Sequence, residues 1–213
     1  MAELLLTDEL ALCGLQPDGS VPAAPRRTWI GMGLTALFLH ELEVRDRISI
    51  DNDDITLIDP ARTDDPLLDA ILDVTIAHRP KLPNVINRGS VETRGLLDQV
   101  GASLVERGLA TPRIEGRLVK RTTGWIPDPA TREAIIDRLR AAVLDGAQTM
   151  DDRTALVVAL VADCGMASLV LPDGELHDIG VAVVRRAGDR NALTRLVRHL
   201  VRTDAERSGY LEQ

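Results

Sequence analysis

Residues 28–47 read TWIGMGLTALFLHELEVRDR. From Trp29 to Leu39 the stretch is apolar or small on every side and uncharged, and Glu41, Glu43, Arg45, Asp46 and Arg47 then charge its C-terminal end. A helix apolar all round is either a membrane span or the centre of a core. The uncharged run falls well short of the ~20 residues a span requires, so the pattern predicts a helix buried at the centre of a helical domain. Gly31 and Gly33 weaken that helix by roughly 1 kcal/mol each relative to alanine. Their presence implies a neighbouring backbone that comes close, or room left at the helix mouth.

Upstream, Leu4 to Leu15 (LLLTDELALCGL) reads as a short amphipathic helix, with Thr7 or Asp8 as its cap and Gly14 near its end. A connector rich in proline and glycine follows, and Arg26 and Arg27 lead directly into the central helix. Downstream the period changes to two. Ile48 and Ile50, then Ile55 and Leu57, alternate around Asp51-Asn52-Asp53-Asp54, which predicts a small hairpin. Its acidic turn lacks the glycine and glutamate spacing of a calcium loop. Helices are predicted over Asp64 to His78 and, after Pro80 and Pro83, over a short Asn84 to Arg88 segment. Ser90 is read as the cap of a helix from Val91 to Arg107, ended by Gly108. A second hairpin, Thr111 to Pro127, carries Arg113, Arg117, Lys120, Arg121 and Trp125. Asp128 and Pro129 begin a helix running to Asp145. Ala155 to Ala162 is a second helix apolar all round, and helices over Asp178 to Arg186 and Asn191 to Arg202 complete the bundle, with a tail fraying beyond Thr203. The fold class is mainly α, a helical bundle around buried central helices with a projecting β-hairpin and one further small hairpin, in a single domain spanning 1–213.

Composition narrows function. The hydrophobic fraction of 45% beside 27% charged residues is that of a packed globular chain. Aromatics are nearly absent, so leucine, valine, isoleucine and alanine must fill the core. Cys13 and Cys164 sit in apolar sequence and read as buried free thiols of a reducing compartment. No signal peptide or membrane span is evident, which makes the expected location cytoplasmic, or peripheral at the inner face of the membrane. The net charge of −8 argues against a nucleic-acid partner. Yet Arg79 to Arg121 holds nine basic residues against four acids, so this stretch carries +5 and the remainder −13. Such a patch is either a salt-bridged surface or an anion site, since arginine forks match phosphate. Tryptophan beside basic residues also suits a membrane interface.

No catalytic motif and no metal spacing is present; the four histidines are far apart, and Gly31-Met32-Gly33 does not follow a strand. No cofactor is implied. Glu9, Glu41 and Glu43 read as capping or paired charges. The helix before the second hairpin, with the hairpin itself, imitates a winged-helix unit, but it lacks a dense basic and amide-bearing face.

Four segments in order resemble the Golgi phosphoprotein 3 family, in its bacterial type: LLLTDELALCGLQPDG from Leu4, GLTALFLHELEVRDRI from Gly33, LVERGLA from Leu104 and MDDRTALVVAL from Met150. The resemblance spans nearly the whole chain. It implies a non-enzymatic peripheral membrane protein that binds anionic phospholipid, as eukaryotic members bind phosphatidylinositol 4-phosphate. By resemblance the lipid pocket uses a tryptophan and an arginine around the central helix, two arginines on the helix before the hairpin, and the hairpin. Arg94 matches the first of those two arginines. The second position holds Leu97, the central-helix position Thr35, and the tryptophan position Arg26, with Trp29 three residues on. The expected headgroup site is therefore Arg26, Arg27, Trp29 and Arg94, and the expected membrane-facing residues are Arg117, Lys120, Arg121 and Trp125. The alternative is a soluble protein-interaction module without lipid binding, a homo-oligomer through the hairpin.

Overall fold

Why the central helix can be apolar on every side is clear from what surrounds it. The computed structural model describes residues 4–20, 22–77, 81–92, 95–116 and 121–209. Helix α2 (Arg26–Val44) is packed by α1 (Leu6–Gly14), α3 (Pro66–Ala77), α4 (Leu82–Glu92), α5 (Leu96–Glu106) and α9 (Ala192–Arg207). Its residues from Trp29 to Leu39 are all buried. Gly33 is needed for this: a methyl group there would lie 2.7 Å from Cys164 Sγ and 2.9 Å from a Leu10 methyl. On the α4 side, Thr35 fills the space over Gly89, where a methyl would lie 2.5 Å from the threonine Cγ2. Among the described residues, no helix is long and apolar enough to cross a membrane.

The second apolar helix, α7 (Asp152–Val161), is buried beside α1 and α8 (His177–Gly188). Asp151 caps it by accepting from the Thr154 amide at 2.7 Å, and Asp128 does the same for α6 (Pro129–Asp145) through Thr131 at 2.8 Å. Two antiparallel pairs complete the fold. In the first, β1 (Ile48–Asp51) and β2 (Asp54–Leu57) turn at Asn52-Asp53, with Ile48 and Ile55 inward. In the second, β3 (Ala110–Glu115) and β4 (Arg121–Pro127) are in register from Ala110 opposite Pro127, with an irregularity between Arg113 and Ile114.

Helix α1 is stapled by charge. Asp8, 1% exposed, accepts both Nη groups of Arg107 at 2.6 and 2.5 Å. Glu9 accepts from Arg138 at 2.6 Å and from Arg153 at 3.0 Å. Asp8 also accepts from the Leu5 amide at 2.9 Å. Glu9 is thus a paired charge, as its sequence context implies, and so is Glu41, which holds Arg45.

Four expectations are corrected. The helix expected over Val91 to Arg107 is broken: Gly95 adopts φ +82°, which few residues other than glycine tolerate, and α5 starts after it. Ser90 therefore sits inside α4, bonded to the Asn87 carbonyl. Beyond α7 the turn Ala162–Met166, π-helical in its hydrogen bonding, kinks the chain at Cys164 and at Gly165, which takes φ +81°. Helix α9 does not fray at Thr203 but runs to Arg207. On that helix the inward spacing of Leu193, Leu196, Val197 and Leu200 predicts Arg195, Arg198 and Arg202 outward, but Arg198 turns inward to Asp163.

Candidate functional site

The N-terminal end of α2 opens on a cleft of about 260 Å³. Arg27, Thr28 and Gly31 form one wall, Ser90 of α4 the second, and Gly95, Leu96 and Leu97 the third. The approach of α4 is close: a methyl on Gly31 would lie 3.4 Å from Ser90 Cβ. The break at Gly95 is what makes the third wall, because it ends the preceding segment at the cleft and starts α5 there. Arg94, expected as the principal phosphate ligand, lies outside the described residues; its neighbour Gly95 lines the cleft.

The arginines at the mouth differ in their commitments. Arg27 donates through Nη2 to Asp98 of α5, and both groups are about 40% exposed. Arg26, half-buried, has no ion-pair or hydrogen-bond partner among the described residues. Its guanidinium lies beside Gly165 of the π-helical turn, where Trp29 also packs. Trp29 itself is 4% exposed. Its indole N–H donates to Asp204 of α9 at 2.9 Å, and its carbonyl accepts from the Cys164 thiol at 3.1 Å. Trp29 thus ties α2 to α9 and to the π-helical turn, and its ring is not presented to a ligand. Thr35 is fully buried, with its hydroxyl bonded to the Gly31 carbonyl at 2.9 Å, and Leu97, 3% exposed, lines the cleft with an apolar surface.

The hairpin rises from the same side of α5. Leu97 in the cleft and Gly101 beneath Trp125 are spaced i, i+4, so they stack on one helix face about 6 Å apart along the axis. The Trp125 ring lies flat against Gly101: a methyl there would be 2.6 Å from Cγ and 2.7 Å from Nε1. Trp125 therefore fastens the hairpin base to α5 and does not face outward. The other side of the base, Gly124, meets the Gly19 carbonyl so closely that no side chain fits. Toward the far end Arg121 and Ile114 are exposed, while Arg117 and Lys120 lie outside the described residues.

Beside Arg26, the π-helical turn holds a buried charge pair. Asp163 accepts Arg198 Nε at 2.9 and 3.2 Å, and Arg198 Nη1 also donates to Asp189 at 2.8 Å. Burial pushes the Asp163 carboxyl up to about 6, despite the guanidinium that opposes the shift. Burial likewise pushes the Cys13 thiol up to about 12 and raises Cys164 further. Neither is a nucleophile in this state. Among the described residues no group of three His, Cys, Asp or Glu side chains is placed to hold a metal.

Sequence reasoning missed Thr28, Ser90 and Gly95 as cleft walls and Asp98 as the partner of Arg27. The Arg27–Asp98 pair joins positions 71 residues apart, and no local pattern announces it. A model of the Golgi phosphoprotein 3 (GPP34) family matches residues 6–203. No curated protein matches the chain.

Proposed function

Since the chain belongs to the Golgi phosphoprotein 3 family, we propose that it is a non-enzymatic peripheral membrane protein that takes an anionic phospholipid headgroup of the phosphoinositide kind at the mouth of α2. The observation that supports this best is the convergence at one end of the molecule. The cleft at the start of α2 has Leu97 of α5 as a wall, the base of the basic hairpin rests on Gly101 one turn further along α5, and Arg26, without a partner among the described residues, begins α2. Arg26 and Arg94 contact phosphate. Thr28 and Ser90 supply hydroxyl donors, and the amide dipoles at the start of α2 favour an anion. Arg117, Lys120 and Arg121 at the far end of the hairpin add about 1 kcal/mol each at an anionic leaflet. Trp29 and Trp125 act from behind, the first by fixing the start of α2 and the second by holding the hairpin upright.

The test is liposome co-sedimentation at physiological salt. The vesicles are neutral, generically anionic, or carry phosphatidylinositol 4-phosphate. Retention on the phosphoinositide vesicles above the others is the expected result, falling steeply with added salt because exposed charges are screened over roughly 8–10 Å. Arg94→Glu abolishes it. Unchanged binding in that variant removes Arg94 from the site.

A second reading has its own support. Arg27 is committed to Asp98, and the family's other arginine positions hold the buried Thr35 and Leu97. These features favour a soluble interaction module that has given up lipid and uses its hairpin as a partner or oligomerisation arm. No sedimentation with any vesicle, together with an oligomer lost on deleting residues 113–124, would establish it.

A further inference from the structure

Helix α8 carries the largest run of exposed apolar side chains away from the cleft. Leu176 just before it, then Ile179 and Val181, are exposed, with Ile179 at 60%. Leu176, Ile179, Val183 and Arg186 follow a 3-4-3 spacing, which on a helix makes one stripe, exposed at Leu176, Ile179 and Arg186 and half-buried at Val183, with Val181 off it. The inward face is instead Gly180, Val184, Ala187 and Gly188, packed toward α7. Beside the stripe runs an open groove of about 570 Å³, with Ala147 and Gln148 on its far bank and Ile179, Ala182 and Val183 on the near one.

The charges of this face are arranged by end. Asp173, Glu175 and Asp178 stand at its N-terminal end and Arg185 and Arg186 at its C-terminal end. Among the described residues Asp178, Arg185 and Arg186 have no ion-pair partner, whereas Arg190, Arg198 and Arg202 nearby are all paired. We propose that the outer face of α8 is a self-association surface whose occupant is α8 of a second copy, packed antiparallel about a two-fold axis at Ala182. The charged positions flanking Ala182 are complementary to their own reversal, and Leu176 and Val183 lie toward the margin of the contact. With Ala182 at the crossing, Asp178 of one copy falls opposite Arg186 of the other, and Ile179 falls against the aliphatic stem of Arg185. Each relation occurs twice by symmetry. A small residue at the crossing point lets two helix axes approach to the ordinary 8–10 Å, and antiparallel macrodipoles are mutually favourable. A different protein would have to bring this same pattern, and the chain already carries it.

The strip is about 18 Å long. A contact of that length falls below the ~1,200 Å² that stable complexes bury, so the dimer is reversible and forms with rising concentration. It leaves the mouth of α2 uncovered, since α8 packs chiefly on α7 and α6 whereas that mouth is walled by α4 and α5. Two headgroup sites are then carried by one particle, which raises apparent affinity for a surface through effective concentration.

Sedimentation equilibrium of the full chain, from micromolar to millimolar protein, tests this. A monomer–dimer equilibrium is expected. Asp178→Arg and Arg186→Asp each weaken it by about tenfold, because two attractions become two repulsions. The double variant D178R/R186D restores complementarity and returns the dimer to wild-type strength, which a variant that merely misfolded would not do. Ile179→Glu abolishes the dimer. A monomer at every concentration overturns the proposal and leaves the face to another protein. Assembly that is indifferent to both single reversals, as a hairpin-mediated oligomer would be, overturns it as well.

Discussion

Gly101→Ala reverses the usual rule for a glycine inside a helix. At an unencumbered position in the middle of α5, alanine stabilises by about 1 kcal/mol through helix propensity. Here the new methyl would sit 2.6 Å from Trp125 Cγ and 2.7 Å from Nε1. Cγ is the ring's root and Nε1 belongs to the same rigid five-membered ring, not to a swinging end, so the ring must shift as a whole and take β4 with it. Overpacking of this kind costs about 1–3 kcal/mol. Set against the propensity gain, Gly101→Ala destabilises the wild type by roughly 1 kcal/mol. In a Trp125→Leu background the obstructing ring is gone, and the same substitution stabilises by up to about 1 kcal/mol. The double-mutant cycle therefore carries a coupling of roughly 2 kcal/mol, well above the ~0.5 kcal/mol scatter of independent sites. Urea denaturation followed by circular dichroism gives all four corners. Equal effects of Gly101→Ala in the two backgrounds would refute the claim that Trp125 anchors the hairpin on α5. Vesicle binding of the single variant adds a functional readout, because a displaced hairpin base also moves Arg121.

Three further outcomes are expected. Arg107→Ala strands the Asp8 carboxylate, which is 1% exposed; thermal unfolding should show a loss of about 3 kcal/mol, or roughly 6–12 °C in Tm, and Asp8→Asn in that background should recover part of it. Asp163, with its folded pKa raised to about 6, contributes stability that is fully present below about pH 4 and lost as pH rises through about 6, on the order of 3 kcal/mol. Asp163→Asn should remove that dependence, and a wild-type–variant difference in denaturant midpoint that is the same at about pH 4.5 and pH 7 would contradict it. Cys13 and Cys164, both buried with raised pKa values, should react with a disulfide reagent only at the rate of unfolding, and prompt labelling of the native protein would show a more open core.

The fold was legible where local chemistry decides it. Uncharged runs marked α2 and α7, Asp128-Pro129 and Asp151 marked helix starts, and the left-handed Gly108 marked a stop. Where tertiary contact decides, the sequence misled. The apolar spacing of Leu97, Val100 and Leu104 meets polar Thr93 and Arg94 one turn back, the cap signal of Ser90 and the terminal Gly108 invited a longer helix, and nothing local shows that Gly95 turns the chain. The π-helical turn follows α7 without a proline or a charge run; its one local sign is the left-handed Gly165, and the contact that accompanies it, Cys164 to the Trp29 carbonyl, joins positions far apart in sequence. The same limit applies to the site. Arginines near the start of the central helix were visible as candidates, but which of them is already engaged depends on Asp98, and whether a tryptophan faces in or out depends on what packs against it. Arg26 and Arg27 look alike in sequence and differ only in their surroundings.

The staple on α1 also bears on the order of events during synthesis. Asp8 and Glu9 leave the ribosome well before their partners, which lie 99, 129 and 144 positions later. Until Arg107, Arg138 and Arg153 emerge, burying α1 would desolvate two carboxylates with nothing to neutralise them. The nascent N-terminal helix is thereby kept in water, and α2 is kept without one of its walls. Docking of α1 should then wait until residue 153 has been made, with the two buried acids holding an apolar helix back from premature collapse.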